Sequence, residues 1–217
     1  MISFNGLHAL FLLQGLAWTL GLSVIAALGG GAVGFGLALA RLHRLAAVRA
    51  LAWAYVQLMQ GTPLLILMFL GYFGFNMLGF QNLPALVAAG VAMTLFSSAY
   101  LGEIWRGCIQ AVPRPQWEAA ECLGLTGFAR LRHVVLPQAL RIATPPTVGF
   151  AVQIVKNTSL ASVVGFVELA QAGRLVNNST FQPFLVYALV ASLYFLICWP
   201  LSAWSRRLER KLHVGRG

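Results

Sequence analysis

Charged side chains are scarce in this sequence. Of its 217 residues, only 9% are Asp, Glu, Lys or Arg, whereas a soluble domain of ordinary composition carries about 25%. The scarcity excludes an ordinary soluble domain and, with a mean hydropathy of +0.78, indicates a chain that lies in a bilayer. Four stretches have no formal charge at all, namely residues 1–40, 50–102, 142–155 and 175–205.

Several signals of other protein classes are missing as well. The three cysteines, Cys108, Cys122 and Cys198, lack the spacing of a metal site, so we interpret them as small apolar residues. No basic residue precedes the first apolar stretch, so a cleaved signal peptide is not expected. There is no nucleophile elbow, HExxH motif or P-loop, so the sequence predicts neither an enzyme nor an ATP-hydrolysing chain. We also find no inverted repeat of the kind that many secondary transporters contain.

The apolar stretches have the length of membrane-spanning helices. Such a helix needs about 20 mostly apolar residues, and the alternating segments typical of membrane barrels are lacking. We therefore expect an all-α integral membrane protein in which residues 1–217 form a single transmembrane domain. Five spanning helices are predicted, at residues 13–40, 51–76, 84–107, 138–156 and 183–204.

The basic residues indicate how these helices are oriented. The formal net charge of +10 would suggest nucleic acid in a soluble protein, but Lys and Arg collect in the cytoplasmic loops of membrane proteins. All of the 15 basic residues except Lys156 and Arg174 cluster around the loops after the first, third and fifth predicted helices. The sequence thus predicts a periplasmic N-terminus, a cytoplasmic C-terminus and no nucleic-acid partner.

Glycines are unusually dense in the first predicted helix, where residues 29–36 read GGGAVGFG. Glycines in a spanning helix let another helix approach closely. We predict close packing at this segment, with a bend in the helix as the alternative.

A polar stretch, PRPQWEAAECLG at residues 113–124, interrupts the apolar sequence. Pro115 can occupy the first turn of a helix and Gly124 is suited to end it, so we predict a helix over about 115–123. Thr126 can cap a second short helix that runs towards Pro137. A helix this short is marginal alone in water, and its contacts could come from its own chain or from another protein.

The stretch from Glu118 to Pro137 resembles the EAA signature of ABC importer permeases. That signature has Glu-Ala-Ala, then Gly after three further residues, and later a hydrophobic residue followed by Leu-Pro. The corresponding residues here are Glu118, Ala119, Ala120, Gly124, Val135, Leu136 and Pro137.

Longer stretches resemble the polar amino acid branch of that family, the histidine, glutamine and arginine type. They are residues 60–75, 99–141 and 155–173. The sequence departs from the branch at Gln60, where Arg is common, and at Cys108 and Pro115, where Gly is common. None of the three belongs to the core of the signature.

The resemblance implies a type I importer permease fold in the bacterial inner membrane, surrounded by membrane lipid. It implies a second permease subunit, identical or paralogous, two cytoplasmic ATPase subunits that bind ATP and Mg, and a periplasmic or lipid-anchored amino-acid-binding protein. This chain itself would bind no cofactor and no metal. A cytoplasmic loop at about 108–137 would carry a coupling helix at 115–124, in which Glu118, Ala119, Ala120 and Gly124 serve the contact with an ATPase.

Ionisable residues within spanning helices are costly and are candidates for function. Glu103 is one, with a local pair to Arg106 as the structural alternative. Lys156 could meet a substrate carboxylate or extend to an interface instead, and Glu168 could line the same path or contact the binding protein. Asn157, where relatives can have Asp, disfavours a cationic substrate. We predict a substrate path formed by Gln153, Lys156, Asn157, Ser159, Ser162, Glu168 and Glu103.

Overall fold

The computed structural model describes residues 4–74, 77, 79 and 84–214, and regular structure within these ranges is helical. In chain order the helices are α1 (Gly6–Arg41), α2 (Ala46–Gly61), α3 (Leu64–Phe69), α4 (Ala85–Gln110), α5 (Arg114–Cys122), α6 (Gly127–Arg130), α7 (Leu136–Asn157), α8 (Leu169–Thr180) and α9 (Pro183–Val214). Wider π-helical turns follow α3 at Leu70–Gly74 and join α6 to α7 at Leu131–Val135. A tighter 3-10 segment follows α7 at Thr158–Val164.

Three helices are long and apolar enough to cross a membrane by themselves: α1, α4 and Pro183–Leu212 of α9. Two bent pairs also qualify when each is counted as one span, α2 with Leu64–Gly74 and Gly127–Val164 with α8. The described residues therefore contain three to five spanning segments. The prediction of an all-α membrane protein with about five spans is confirmed.

The second predicted span, 51–76, is not one straight helix. The chain turns by 101° between α2 and Leu64–Gly74. At the turn, Thr62 is extended, with φ −106° and ψ 129°, because Pro63 disfavours helical geometry in the residue before it and has no N–H to donate. The prediction ran a helix through this Thr-Pro step and was wrong there, and residues 75 and 76 of that predicted span lie outside the described ranges.

The glycine-rich segment of α1 packs directly against α4. A Cβ atom on Gly34 would lie 2.9 Å from the carbonyl oxygen of Ser98 and 3.1 Å from the backbone nitrogen of Gly102. A Cβ on Gly30 would lie 2.7 Å from the Cβ of Ser97. Neither position has room for a side chain, so the predicted close packing is confirmed.

The main apolar core lies between α1, α3, α4 and the segment that follows α7. Leu22, Met68 and Met93 are fully buried in it, and Ile154 and Phe166 join them from either side of the 3-10 segment. This packing holds the end of α7 against the α1–α4 pair. It thereby positions the polar residues around Lys156 next to the core.

The C-terminal part of α9 packs beside the first half of α7. Two prolines, Pro145 and Pro146, lie inside α7, and the Pro145 carbonyl accepts a 2.8 Å hydrogen bond from Ser205 Oγ of α9. Because α7 begins directly after α5 and α6, the C-terminal end of α9 lies at the same end of the molecule as α5.

Candidate functional site

The helix α5 ends in a tightly closed turn. Gly124 has a φ of +74°, which glycine adopts without steric cost. Its N–H donates to the Glu121 carbonyl at 2.9 Å, and the Leu125 N–H donates to the Ala120 carbonyl at 3.2 Å. Together these bonds form a Schellman motif, so the helix ends where the sequence predicts.

Side chains from α6 fold back onto α5. Thr126 Oγ1 accepts a 3.3 Å hydrogen bond from the Ala129 N–H and so begins α6. Arg130 Nη1 lies 2.6 Å from Glu121 Oε2, and the guanidinium lies 5.9 Å from the centre of the Trp117 ring. Trp117 packs in turn against the apolar cluster at the adjoining ends of α4 and α7. The loop is therefore closed on itself and attached to two spanning segments.

The predicted coupling residues divide between two faces of α5. Glu118 and Ala119 are exposed, whereas Ala120 is buried against its own chain. Leu123 is 80% exposed and Phe128 is 72% exposed. We call Glu118, Ala119, Leu123 and Phe128 the α5 outer surface.

Sequence reasoning did not single out Phe128. Its helix, α6, has only four residues, too few for periodicity to indicate which side chain points outward. One signal could have indicated it. Phe128 is a large apolar residue two positions after Thr126, the N-cap of α6, in a polar loop that offers little apolar surface to bury it.

Glu103 is paired at the loop-side ends of α1 and α4. Arg106 Nη2 lies 2.7 Å from Glu103 Oε2, and Arg41 Nε lies 2.9 Å from Glu103 Oε1. Arg106 also donates to Gln110 Oε1. The local pair with Arg106 is present, and Arg41 is a second partner that sequence spacing could not indicate. This carboxylate ties the end of α1 to α4.

The other polar candidates lie where α7 tightens into the 3-10 segment. Gln153 and Lys156 are exposed, whereas Asn157, Ser159 and Ser162 are half-buried. Gln153 Nε2 donates to Asn157 Oδ1 at 3.3 Å, and Ser159 Oγ donates to the Lys156 carbonyl at 2.8 Å. The chain stays helical through these residues, so side chains supply most of the polar character of this region.

Lys156 lines an open groove along α9. The groove has Lys156 and Arg206 as its cations, with aromatic and small side chains between them: Ala191, Tyr194, Phe195, Cys198, Trp199 and Ser202. A groove with two cations and mostly apolar side chains between them can bind a molecule whose anionic group is attached to a small or apolar part.

Glu168 is fully buried and caps the N-terminus of α8. Its Oε1 accepts from the Gln171 N–H and its Oε2 from the Ala170 N–H, both at 2.8 Å. The Tyr194 hydroxyl of α9 donates to Oε2 at 2.8 Å, and the Thr19 hydroxyl of α1 approaches the same oxygen at 3.4 Å. A carboxylate is stabilised at a helix N-terminus by the helix dipole. We call Glu168, Thr19 and Tyr194 the buried carboxylate cluster.

The buried carboxylate cluster joins three helices and touches the Lys156 groove. Thr19 Oγ1 also accepts a 3.1 Å bond from the Leu169 N–H, so α1 contacts both the cap and the first turn of α8. The Tyr194 ring lines the groove that holds Lys156 while its hydroxyl reaches Glu168. Sequence reasoning singled out Glu168 but not its partners, because Thr19 is 149 residues away.

The family model for "Binding-protein-dependent transport system inner membrane component" matches residues 32–214. The chain belongs to this family, and the resemblance found in its sequence is confirmed. It is therefore an inner-membrane permease subunit that works with an ATPase and a binding protein, and ATP hydrolysis belongs to the ATPase partner.

Individual relatives extend the match along nearly the whole chain. The probable amino-acid ABC transporter permease protein YckA of Bacillus subtilis (strain 168) is 35% identical over 201 residues, which are 93% of this chain and 88% of that protein. The probable glutamine ABC transporter permease protein GlnM of the same organism is 36% identical over 92% of both chains. A solved structure, described as an amino acid ABC transporter with histidines, is 31% identical and has a TM-score of 0.88 over 97% of this chain and 100% of that chain.

Proposed function

We propose that this chain is the permease subunit of an ATP-driven, binding-protein-dependent importer of polar amino acids. Relatives named as amino-acid and glutamine permeases support this substrate class, as does the similarity to a solved amino acid transporter. In the proposed assembly two permease subunits, identical or paralogous, pair above two ATPase subunits that bind ATP and Mg. We expect this chain itself to bind no cofactor.

We assign the N-terminus to the periplasm and the C-terminus to the cytoplasm. The distribution of basic residues supports this orientation through the positive-inside rule. The contact of Ser205 with Pro145 agrees with it, because it brings the basic end of α9 to the same end of the molecule as α5. Both then face the ATPase side.

The α5 loop couples the permease to its ATPase in this proposal. The observation that carries the assignment is a contrast within one short loop. The helix end at Gly124 and the Glu121 and Arg130 side chains are bonded within the loop, while no side chain of the α5 outer surface forms a hydrogen bond or ion pair among the residues that the structure describes. The internal hydrogen bonds of the Gly124 turn and the packing of Trp117 against the adjoining ends of α4 and α7 make the loop rigid. A rigid loop attached to α4 and α7 can transmit the closing of the ATPases to the spanning helices, as a two-state coupling requires.

The substrate path follows the groove that contains Lys156. Its ammonium group offers a partner for a substrate carboxylate, and Gln153, Asn157, Ser159 and Ser162 offer hydrogen bonds near it. Asn157 brings no negative charge to the path, which favours an uncharged side chain on the substrate. Glu103 and Glu168 support the walls of the path through their contacts within the chain.

Substitutions in the α5 loop of the complete transporter, reconstituted in liposomes, test the coupling assignment. We expect Glu118→Lys to lower transport by at least about tenfold, because a reversed charge at a docking surface costs several kcal/mol. Gly124→Val should act similarly, because a positive φ costs an L-residue about 1–2 kcal/mol and distorts the loop. Both variants should insert in the membrane normally.

Matched controls make this test specific. Glu209→Lys reverses an exposed charge on α9, and Gly36→Val adds a side chain at a glycine of α1 with open space around it. Both should retain transport. Normal transport by Glu118→Lys and Gly124→Val would contradict the coupling role.

A further inference from the structure

A second groove lies between α7 and α9 at the end of the molecule that carries α5. It is lined by Arg141, Thr144 and Pro145 of α7 and by Leu208, Lys211 and Leu212 of α9. The hydrogen bond from Ser205 to Pro145 fixes the two helices beside it. The groove is separate from the one that contains Lys156.

Two cations from different helices face this groove without a neutralising partner. Arg141 and Lys211 are exposed, and neither forms an ion pair in the part of the chain that the structure describes. The ion pairs found there use Glu103 and Glu121 with other arginines. The groove is therefore positively charged and open to an anion.

The depth of the groove matches the headgroup layer of a membrane. α9 has no formal charge from residue 183 to 205, a length of roughly 35 Å at about 1.5 Å per residue, which exceeds a hydrocarbon core of about 30 Å. Lys211 lies about 9 Å further along the helix. Trp204 is 52% exposed, as expected for an aromatic residue at a membrane interface. The cations thus lie at phosphate level, nearer the end of the molecule than the apolar Pro145 and Leu208, which also line the groove.

We propose that this groove binds the phosphate of an anionic phospholipid of the cytoplasmic leaflet, such as phosphatidylglycerol. Basic clefts between spanning helices on the cytoplasmic side suit anionic headgroups, and a guanidinium can bind phosphate oxygens in a bidentate manner. The apolar residues below contact the glycerol and the upper acyl chain. A lipid held there bridges α7 and α9. The inference rests on the proposed function for the orientation of this end of the molecule.

Retention of phosphatidylglycerol by the purified complete transporter tests the proposal. The complex is extracted from membranes of phosphatidylethanolamine and phosphatidylglycerol, and the bound lipid is titrated by native mass spectrometry. We expect Lys211→Gln and Arg141→Gln each to weaken phosphatidylglycerol binding about fivefold, the effect of one basic residue near an anionic surface. Arg210→Gln removes the same charge from the neighbouring position, which does not line the groove, and should change binding less than about twofold.

Three results would overturn the lipid site. Equal weakening by all three variants would indicate a general surface potential, and no weakening by any of them would indicate an empty groove. Cross-linking from position 211 to the ATPase, with lipid retention unchanged, would give the groove a protein partner instead. Because the experiment measures lipid retention and not transport, a failure of the lipid-site proposal is distinguishable from a failure of the coupling assignment.

Discussion

Glu118 and Glu168 are two carboxylates of one small chain in opposite surroundings. Glu118 lies exposed on α5, and its side chain forms no hydrogen bond or ion pair among the residues that the structure describes. Glu168 is fully buried, and both of its oxygens accept hydrogen bonds from α8, with α9 and α1 adding their hydroxyls.

This difference in burial and hydrogen bonding indicates that Glu118 is available to a partner, whereas Glu168 stabilises the fold of its own chain. A buried carboxylate is stable only when its oxygens are satisfied, and Glu168 meets this condition within the chain. Glu118 lies exposed on the same short loop as exposed Leu123 and Phe128, an arrangement that an external partner can complete. Residue type alone could not distinguish them, because both are acids in a chain that has only five.

The largest stability effect is expected at the buried carboxylate cluster. Glu168→Ala removes the cap of α8 and leaves the Ala170 and Gln171 N–H groups without an acceptor, which should lower the free energy of unfolding by about 3 kcal/mol. Thermal unfolding of the detergent-solubilised protein measures this, with Glu209→Ala as the exposed control. A variant of unchanged stability that no longer transports would instead return Glu168 to the substrate path. Loss of transport alone does not separate the two roles.

An intermediate effect, on binding of the ATPase, is expected at the α5 outer surface, to which Glu118 belongs. Phe128→Ser should weaken association with the ATPase by about tenfold or more, because burying a Phe side chain stabilises a contact by about 1.5–3 kcal/mol. Stability of the isolated permease should not change. The same substitution at Phe184, which is 90% exposed at the first turn of α9, is the control. Equal binding of the ATPase by both variants would remove Phe128 from the docking surface.

The smallest effect is expected at Glu121. Its pair with Arg130 is short, but the Glu121 side chain is 73% exposed, and exposed ion pairs contribute about 0–1 kcal/mol. Glu121→Gln should therefore shift unfolding only slightly and leave transport near normal. A large transport defect with normal stability would indicate that Glu121, like Glu118, contacts a partner.

Local signals in the sequence predicted the α5 loop well. Pro115 and Gly124 act through their own backbone geometry and Thr126 through a side-chain bond to a residue three positions on, so their effect does not depend on distant residues. The all-α membrane class followed from charge-free stretches for the same reason. Thr62 and Pro63 were also a local signal, for a break in the helix. The long apolar run around them led instead to the prediction of one continuous span.

Long-range contacts could not be predicted in this way. Arg41 meets Glu103 across 62 residues, and Tyr194 meets Glu168 across 26. Such pairs depend on how the helices cross, which a single sequence does not contain. The direction of Ala120, which is buried between exposed neighbours on α5, likewise depends on packing against the rest of the chain.

The partners of Glu168 also set an order of events during biogenesis. Thr19 belongs to the first helix and Tyr194 to the last, so a ribosome delivers the acid to the membrane before its 2.8 Å partner has been synthesised. Until α9 is inserted, the carboxylate lacks one of its hydrogen-bond donors in apolar surroundings. A chain truncated before α9 would keep this carboxylate without its Tyr194 donor, and we expect it to be less stable in the membrane than the chain with α9.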